Sequence, residues 1–220
     1  PEPHMETAEE KAARLAGKKV KDPYSPLSFR HFVLGAVAIF FYVGIEVGIP
    51  NTANVYFSGL DWVGPALTGT FISAYWLCML IGRLGGGAIG AKVSSRNMLL
   101  YTSSAAIVLI LLAIFIPETV TVGKAPLSLI FLALCGLCTS IMWGSIFNLS
   151  AEGLGKYTAA ASGIFMTLVC GGGIVPFVQN ALADVVGSMQ SYWVMIVCLA
   201  YLIFYAAVGS KNVNKDIPVE

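Results

Sequence analysis

Glu46 is the residue here with the clearest capacity for chemistry. It stands within a long apolar run and is the only acidic residue well inside one. A carboxylate at membrane depth costs about 2.5–3.5 kcal/mol on insertion scales, so it faces a cavity, pairs with a partner or carries protons. Glu46 is therefore a candidate ligand-binding and proton-coupling residue, with a structural hydrogen bond to a neighbouring helix as the alternative. Pro50, Asn51 and Asn54 follow closely. A proline inside a span predicts a kink or break. Transporters line binding sites with such breaks, and two amides there suit a ligand rich in hydroxyls. The same residues read equally well as the outer end of the helix.

Aromatic groups supply the second set. Trp143, between Met142 and Gly144, is expected to interrupt the fourth apolar run near mid-depth. An indole there needs a partner for its N–H, and stacking against a sugar ring or ordinary packing would both account for it. Tyr75 and Trp76 make a weaker case of the same kind. Asn148 lies one turn and a half beyond Trp143 and adds a further amide.

Other patterns lead elsewhere. Gly85, Gly87 and Gly90 match the GxGxxG spacing of a dinucleotide fold. No strand precedes them, and the next acid is Glu118, so that reading fails. Gly82, Gly86 and Gly90 recur every four residues, which puts them on one helix face and permits close helix packing. Arg83 then falls near the end of its helix, able to snorkel or to pair with the next loop. Cys135 and Cys138 lie mid-run without a nearby His or carboxylate, so helix packing is favoured over redox or metal chemistry. Asn148-Leu149-Ser150 forms a glycosylation triplet at an expected cytoplasmic end and is discounted. His4 and His31 lie outside the predicted spans. No hydrolytic set, phosphate loop or zinc spacing is present, so no enzyme activity, cofactor or metal is expected.

The elements that must position these residues are helices in lipid. The 220 residues are 57% hydrophobic and only 11% charged, too few charges to cover a water-facing surface. A net charge of +1 carries no signal of a nucleic-acid partner. Crossing a membrane takes about 20 apolar residues. Stretches that qualify or nearly qualify are Phe32–Phe57, Leu67–Ile89, Met98–Ile116, Leu127–Leu149, Ala159–Val178 and Tyr192–Val208. Backbone groups in lipid must be satisfied internally, which makes these helices, and the alternation of a membrane barrel is absent. Pro65 opens the second helix, Pro117 ends the third and Pro126 starts the fourth. Gly171-Gly172-Gly173 and Pro176 make the fifth thin and pliable.

Charge sets the topology. Lys11, Arg14, Lys18, Lys19, Lys21, Arg30, Arg83, Lys92, Arg96, Lys156, Lys211 and Lys215 fall on one side of a six-helix arrangement, and only Lys124 falls on the other. Five or seven helices would break this asymmetry. The expected organisation is a cytoplasmic linker over residues 1–27, a six-helix bundle over 28–209 and a cytoplasmic tail over 210–220. Met5–Lys21 is rich in Ala, Glu and Lys, and either a short surface helix or disorder fits it. The chain opens on Pro1 rather than Met, as a fragment of a longer protein would; His4-Met5 fits a cloning remnant equally well.

Several stretches resemble one family. Phe41-Tyr42-Val43-Gly44-Ile45-Glu46 is similar to the opening of its seventh helix. Ile81-Gly82-Arg83 with Lys92 and Arg96 resembles the second copy of the major-facilitator loop signature. Ser145-Ile146-Phe147-Asn148-Leu149 with Gly153-Leu154-Gly155 resembles the end of helix ten. Gly171 to Pro176, then Ala183-Asp184 and Gly187, resembles helix eleven and its loop. Together they resemble the fucose–galactose–glucose:proton symporters of the major facilitator superfamily. The resemblance implies half of a twelve-helix fold, proton-coupled monosaccharide transport by alternating access, an N-terminal six-helix partner half and a bacterial inner membrane with both ends cytoplasmic. The family's best-known coupling acids lie in the other half. Glu46 matches glucose/galactose-type members, and Trp143 stands where a fucose-type member has a cavity tyrosine. Gly144 stands where the family more usually has a proline. The rival readings are a self-assembling six-helix channel or half-transporter, and a sugar-sensing membrane subunit.

Overall fold

The computed structural model describes residues 23–90 and 92–219. The Met5–Lys21 segment, with the five cations before Arg30, lies outside them. Helix α1 is Arg30–Ser58, α2 is Gly64–Gly90 and α3 is Ser95–Phe115. A hairpin of β1 (Thr121–Val122) and β2 (Ala125–Pro126) leads into α4, Leu127–Ala151. Helices α5 (Thr158–Thr167) and α6 (Gly171–Val186) meet at a 3-10 turn, Leu168–Cys170, and α7 is Trp193–Phe204.

Among the described residues, six segments are long and apolar enough to cross a membrane. The fifth, Gly155–Val186, joins α5 and α6, and the sixth, Gln190–Gly209, carries α7 and a π turn. At 1.5 Å per residue α1 is about 43 Å long, ample for a hydrocarbon core of about 30 Å. The protein is thus an all-α membrane protein.

Local chemistry sets the ends. Pro65 occupies the first turn of α2, where its missing N–H costs nothing. Ser94 caps α3 by accepting from the Asn97 amide. Gly187 closes α6 with φ of 95°, a left-handed conformation open to glycine. The hairpin was not legible beforehand, since two-residue strands carry no periodicity.

Two expectations about helix shape need correction. Of the kink or break expected at Pro50, the break is absent, since α1 continues to Ser58. Trp143 does not interrupt α4, which runs unbroken through Gly144. Within the fifth span, α5 and α6 are separated by the 3-10 turn before Gly171.

Helix α1 is the central element, with two-thirds of its most apolar window buried against 17% for α2. Glycines let its neighbours approach. A Cβ at Gly171 would lie 2.0 Å from the Phe40 carbonyl oxygen, and one at Gly172 would lie 2.8 Å from Val43. The loops sort to two ends. At one end the His31 ring bonds the Glu152 carbonyl, Arg96 reaches Ala206 and Ala207, and the Lys156 amide donates to Val219. At the other, Tyr56 on α1 donates to Glu118 after α3. The turns around Lys92 and Lys156 therefore share an end with the C-terminal tail.

Candidate functional site

A cavity of about 670 Å³ opens between α1, α2, the start of α3 and α4. Helical spacing builds its walls. On α2, Arg83, Gly86, Gly87 and Gly90 fall on one side of the cylinder; on α4, Ser140, Gly144 and Asn148 recur every four residues. The glycines keep this space open. A Cβ at Gly87 or Gly144 would meet nothing within 4 Å. Gly82 and Gly86 serve the other purpose, since a Cβ there would lie 2.1 Å from the Ser140 oxygen and 2.7 Å from Ile141 respectively. Gly90 is looser, 3.9 Å from the Met98 sulfur.

Glu46 stands on the cavity wall and is paired. Arg83 Nη2 donates to its Oε1 over 2.7 Å. The two ends of the pair differ in environment: the Glu46 side chain is 12% exposed and that of Arg83 is 51% exposed. The expectation that Arg83 would snorkel or meet the next loop is thus replaced by an interhelical ion pair. Tyr42, one turn before Glu46 on α1, is fully buried beside that pair, and its hydroxyl has no hydrogen bond of ordinary geometry.

Aromatic rings complete the wall. Trp143 is half-buried and meets Tyr42 and Phe165 edge-on, with centroids 6.1 and 5.8 Å away. Asn148 is exposed to the cavity and donates to Ser95 over 3.4 Å. The arrangement offers one internally neutralised charge pair, hydroxyls and amides at the edge, and an indole surface. It can hydrogen-bond and stack an uncharged polar ring.

The remaining expected residues stand outside this cavity. Asn51 and Asn54 are exposed on α1 beyond Pro50, and Asn54 accepts from Ser58. Trp76 is 46% exposed on α2. Tyr75 is buried, and its hydroxyl donates to the Glu46 carbonyl over 3.0 Å. Arg96 anchors the carbonyls at the end of the sixth span, Gly172 packs α6 against α1, and Pro176 is buried within α6. Sequence reasoning passed over Tyr42, Ser140 and Ser145 and misplaced the partner of Arg83. The signal was available: Glu46 and Arg83 are the only charged residues inside the predicted spans.

The sequence profile described as Major Facilitator Superfamily matches residues 1–177. A glucose/galactose transporter of Brucella abortus is 35% identical over 190 residues, covering 86% of this chain and 44% of that protein. An L-fucose-proton symporter of Escherichia coli is 26% identical over 191 residues, covering 84% and 41%. The chain therefore spans less than half the length of these curated relatives. The fold matches a crystal structure of the transporter FucP in the outward conformation, with a TM-score of 0.73, 24% identity and coverage of 83% of this chain and 43% of that one. With its six spans, its helix order and this profile match, the chain belongs to the Major Facilitator Superfamily, a family of transporters rather than enzymes.

Proposed function

We propose that this chain is the C-terminal half of a secondary transporter that carries a monosaccharide together with a proton. The observation that carries the reading is the Glu46–Arg83 pair on the wall of a cavity of about 670 Å³ that also presents Trp143 and Asn148. The charges neutralise each other, so the site favours an uncharged polyol. Trp143 offers a face for the sugar ring, and Glu46 and Asn148 offer acceptors and donors for its hydroxyls. The names of the relatives point to glucose or galactose first and fucose second.

Asn51, Asn54 and Trp76 stand on exposed faces of this half. They join the site when a six-helix N-terminal half closes over them, and alternating access is a rocking of the two halves. Residues 1–27 are the linker to that half, and the tail after residue 209 ends on the same cytoplasmic side of a bacterial inner membrane. The clustering of the Lys92 and Lys156 turns with the tail supports this orientation through the excess of cations on that face.

The test is uptake of labelled glucose, galactose and fucose by the full-length protein in proteoliposomes under an imposed pH gradient, acidic outside. Accumulation above equilibrium that collapses with a protonophore is the expected result. Equilibration independent of the gradient would indicate a channel or uniporter, and binding without uptake would indicate a sensor; either overturns symport. The Glu46→Gln protein is expected to lose accumulation and the pH dependence of transport. Unchanged behaviour would remove Glu46 from the coupling site.

A further inference from the structure

Pro50 has no N–H, so the carbonyl four residues earlier lacks its helical donor. That carbonyl belongs to Glu46. The Tyr75 hydroxyl, from α2, donates to this same oxygen over 3.0 Å. The phenol is itself fixed: Tyr75 is 1% exposed, and the Thr139 hydroxyl of α4 lies 3.3 Å from its oxygen. Gly136 makes this node possible, because a Cβ there would stand 2.2 Å from the Tyr75 carbonyl oxygen. Three helices thus converge on the backbone of the one acidic residue in the cavity.

We infer that Tyr75 is a positioning residue for Glu46: it replaces the hydrogen bond that Pro50 removes and thereby fixes the α1 segment that presents the carboxylate to Arg83 and to the ligand. Its place in transport rests on the function proposed above; the bond itself does not. Without the hydroxyl, the Glu46 carbonyl is left unpaired in a buried setting. The helix at Pro50 then regains the freedom to bend, and the carboxylate shifts relative to the cavity. The phenol does not enter the cavity, so its effect on the ligand passes through Glu46.

Two measurements on the full-length protein test this. The first is a thermal-unfolding cycle of Tyr75→Phe, Pro50→Ala and the double variant in detergent micelles. Pro50→Ala returns an N–H to the Glu46 carbonyl, so Tyr75→Phe should lower the melting temperature in the parent and do so much less in the Pro50→Ala background. Equal shifts in both backgrounds would overturn the inference. This arm stands whether or not the protein carries sugar. The second is sugar affinity and the pH profile of uptake. Tyr75→Phe should weaken the apparent affinity about tenfold, the scale of one lost buried hydrogen bond, and have little further effect once Glu46→Gln is present. An unaltered KM and pH profile in Tyr75→Phe, or an undiminished effect in the Glu46→Gln background, would reduce the residue to a purely structural contact. A wild-type protein that fails to take up sugar in the same vesicles overturns the transport role while leaving the unfolding cycle to decide the bond.

Discussion

Replacing Arg83 with Met leaves the Glu46 carboxylate without its cation. The cost follows from the uneven burial of the pair. Fully exposed ion pairs contribute about 0.2–1 kcal/mol, whereas stripping one partner from a buried pair costs about 3–5 kcal/mol. Here Arg83 is half in water and the Glu46 side chain is 12% exposed. The loss on Arg83→Met should fall between those limits, at about 2–3 kcal/mol, because the uncompensated charge is the buried one. Glu46→Gln should cost less, about 1 kcal/mol, because the freed guanidinium keeps its water and can extend along its stem. The double variant should resemble Arg83→Met with the penalty largely relieved, a coupling of about 1–2 kcal/mol. Thermal unfolding in micelles, followed by tryptophan fluorescence, reads these differences at about 2–4 °C per kcal/mol for chains of this size. Additive effects within about 0.5 kcal/mol, or an Arg83→Met protein more stable than Glu46→Gln, would refute the argument from asymmetric burial.

Glycines facing the cavity and glycines facing a helix should behave oppositely. Gly82→Val forces atoms into the space where a Cβ already stands 2.1 Å from the Ser140 oxygen, and an overpacking loss of about 1–3 kcal/mol is expected in unfolding experiments. Gly144→Ala meets nothing within 4 Å, so stability should hold or rise slightly with helix propensity. Trp143→Phe should keep the packing against Tyr42 and Phe165 yet remove the indole N–H and part of the stacking face. Equilibrium dialysis with labelled sugar should then show affinity weakened about fivefold to tenfold, the scale of 1–1.4 kcal/mol, with melting nearly unchanged; a large loss of stability with intact affinity would assign the ring to packing.

The six spans were legible because lipid imposes length and apolarity on every one of them. The fifth was read too short, as Ala159–Val178, because Gln179, Asn180 and Asp184 lower the hydropathy just where α6 continues to Val186. Of these three, only Asn180 gains a tertiary hydrogen bond, from Thr52 across the α1–α6 interface; Gln179 is buried and Asp184 is exposed. Glu46, Trp143 and Asn148, each raised as a candidate with a structural alternative, do line the cavity. Asn51 and Asn54 were not separable from them by proximity in sequence, since the expected break at Pro50 does not occur. On a continuous helix they lie about 140° and 80° around the cylinder from Glu46 at 3.6 residues per turn, and neither lines the cavity of this half. Tyr42 lies only about 40° away by the same count, a relation that periodicity could have supplied. The bond from Tyr75 to the Glu46 carbonyl could not be read, because it depends on which helix sits opposite Pro50.

The contacts to Glu46 also follow from direction. Helices α1 and α2 are joined by a short turn, Gly59 to Val63, and so run antiparallel. Carbonyls of α1 point along the chain toward Ser58, whereas side chains lean back toward Arg30. An antiparallel neighbour meets the carbonyl with an earlier residue and the side chain with a later one. Tyr75 and Arg83 stand in that order, eight residues apart on α2. One helix therefore grips Glu46 at its backbone and at its carboxylate, and a slide of one turn between α1 and α2 would release both bonds at once. Such a slide is penalised twice, which fixes the register of α1 against α2. Within the fifth span, by contrast, the helical hydrogen-bond pattern changes at the 3-10 turn Leu168–Cys170.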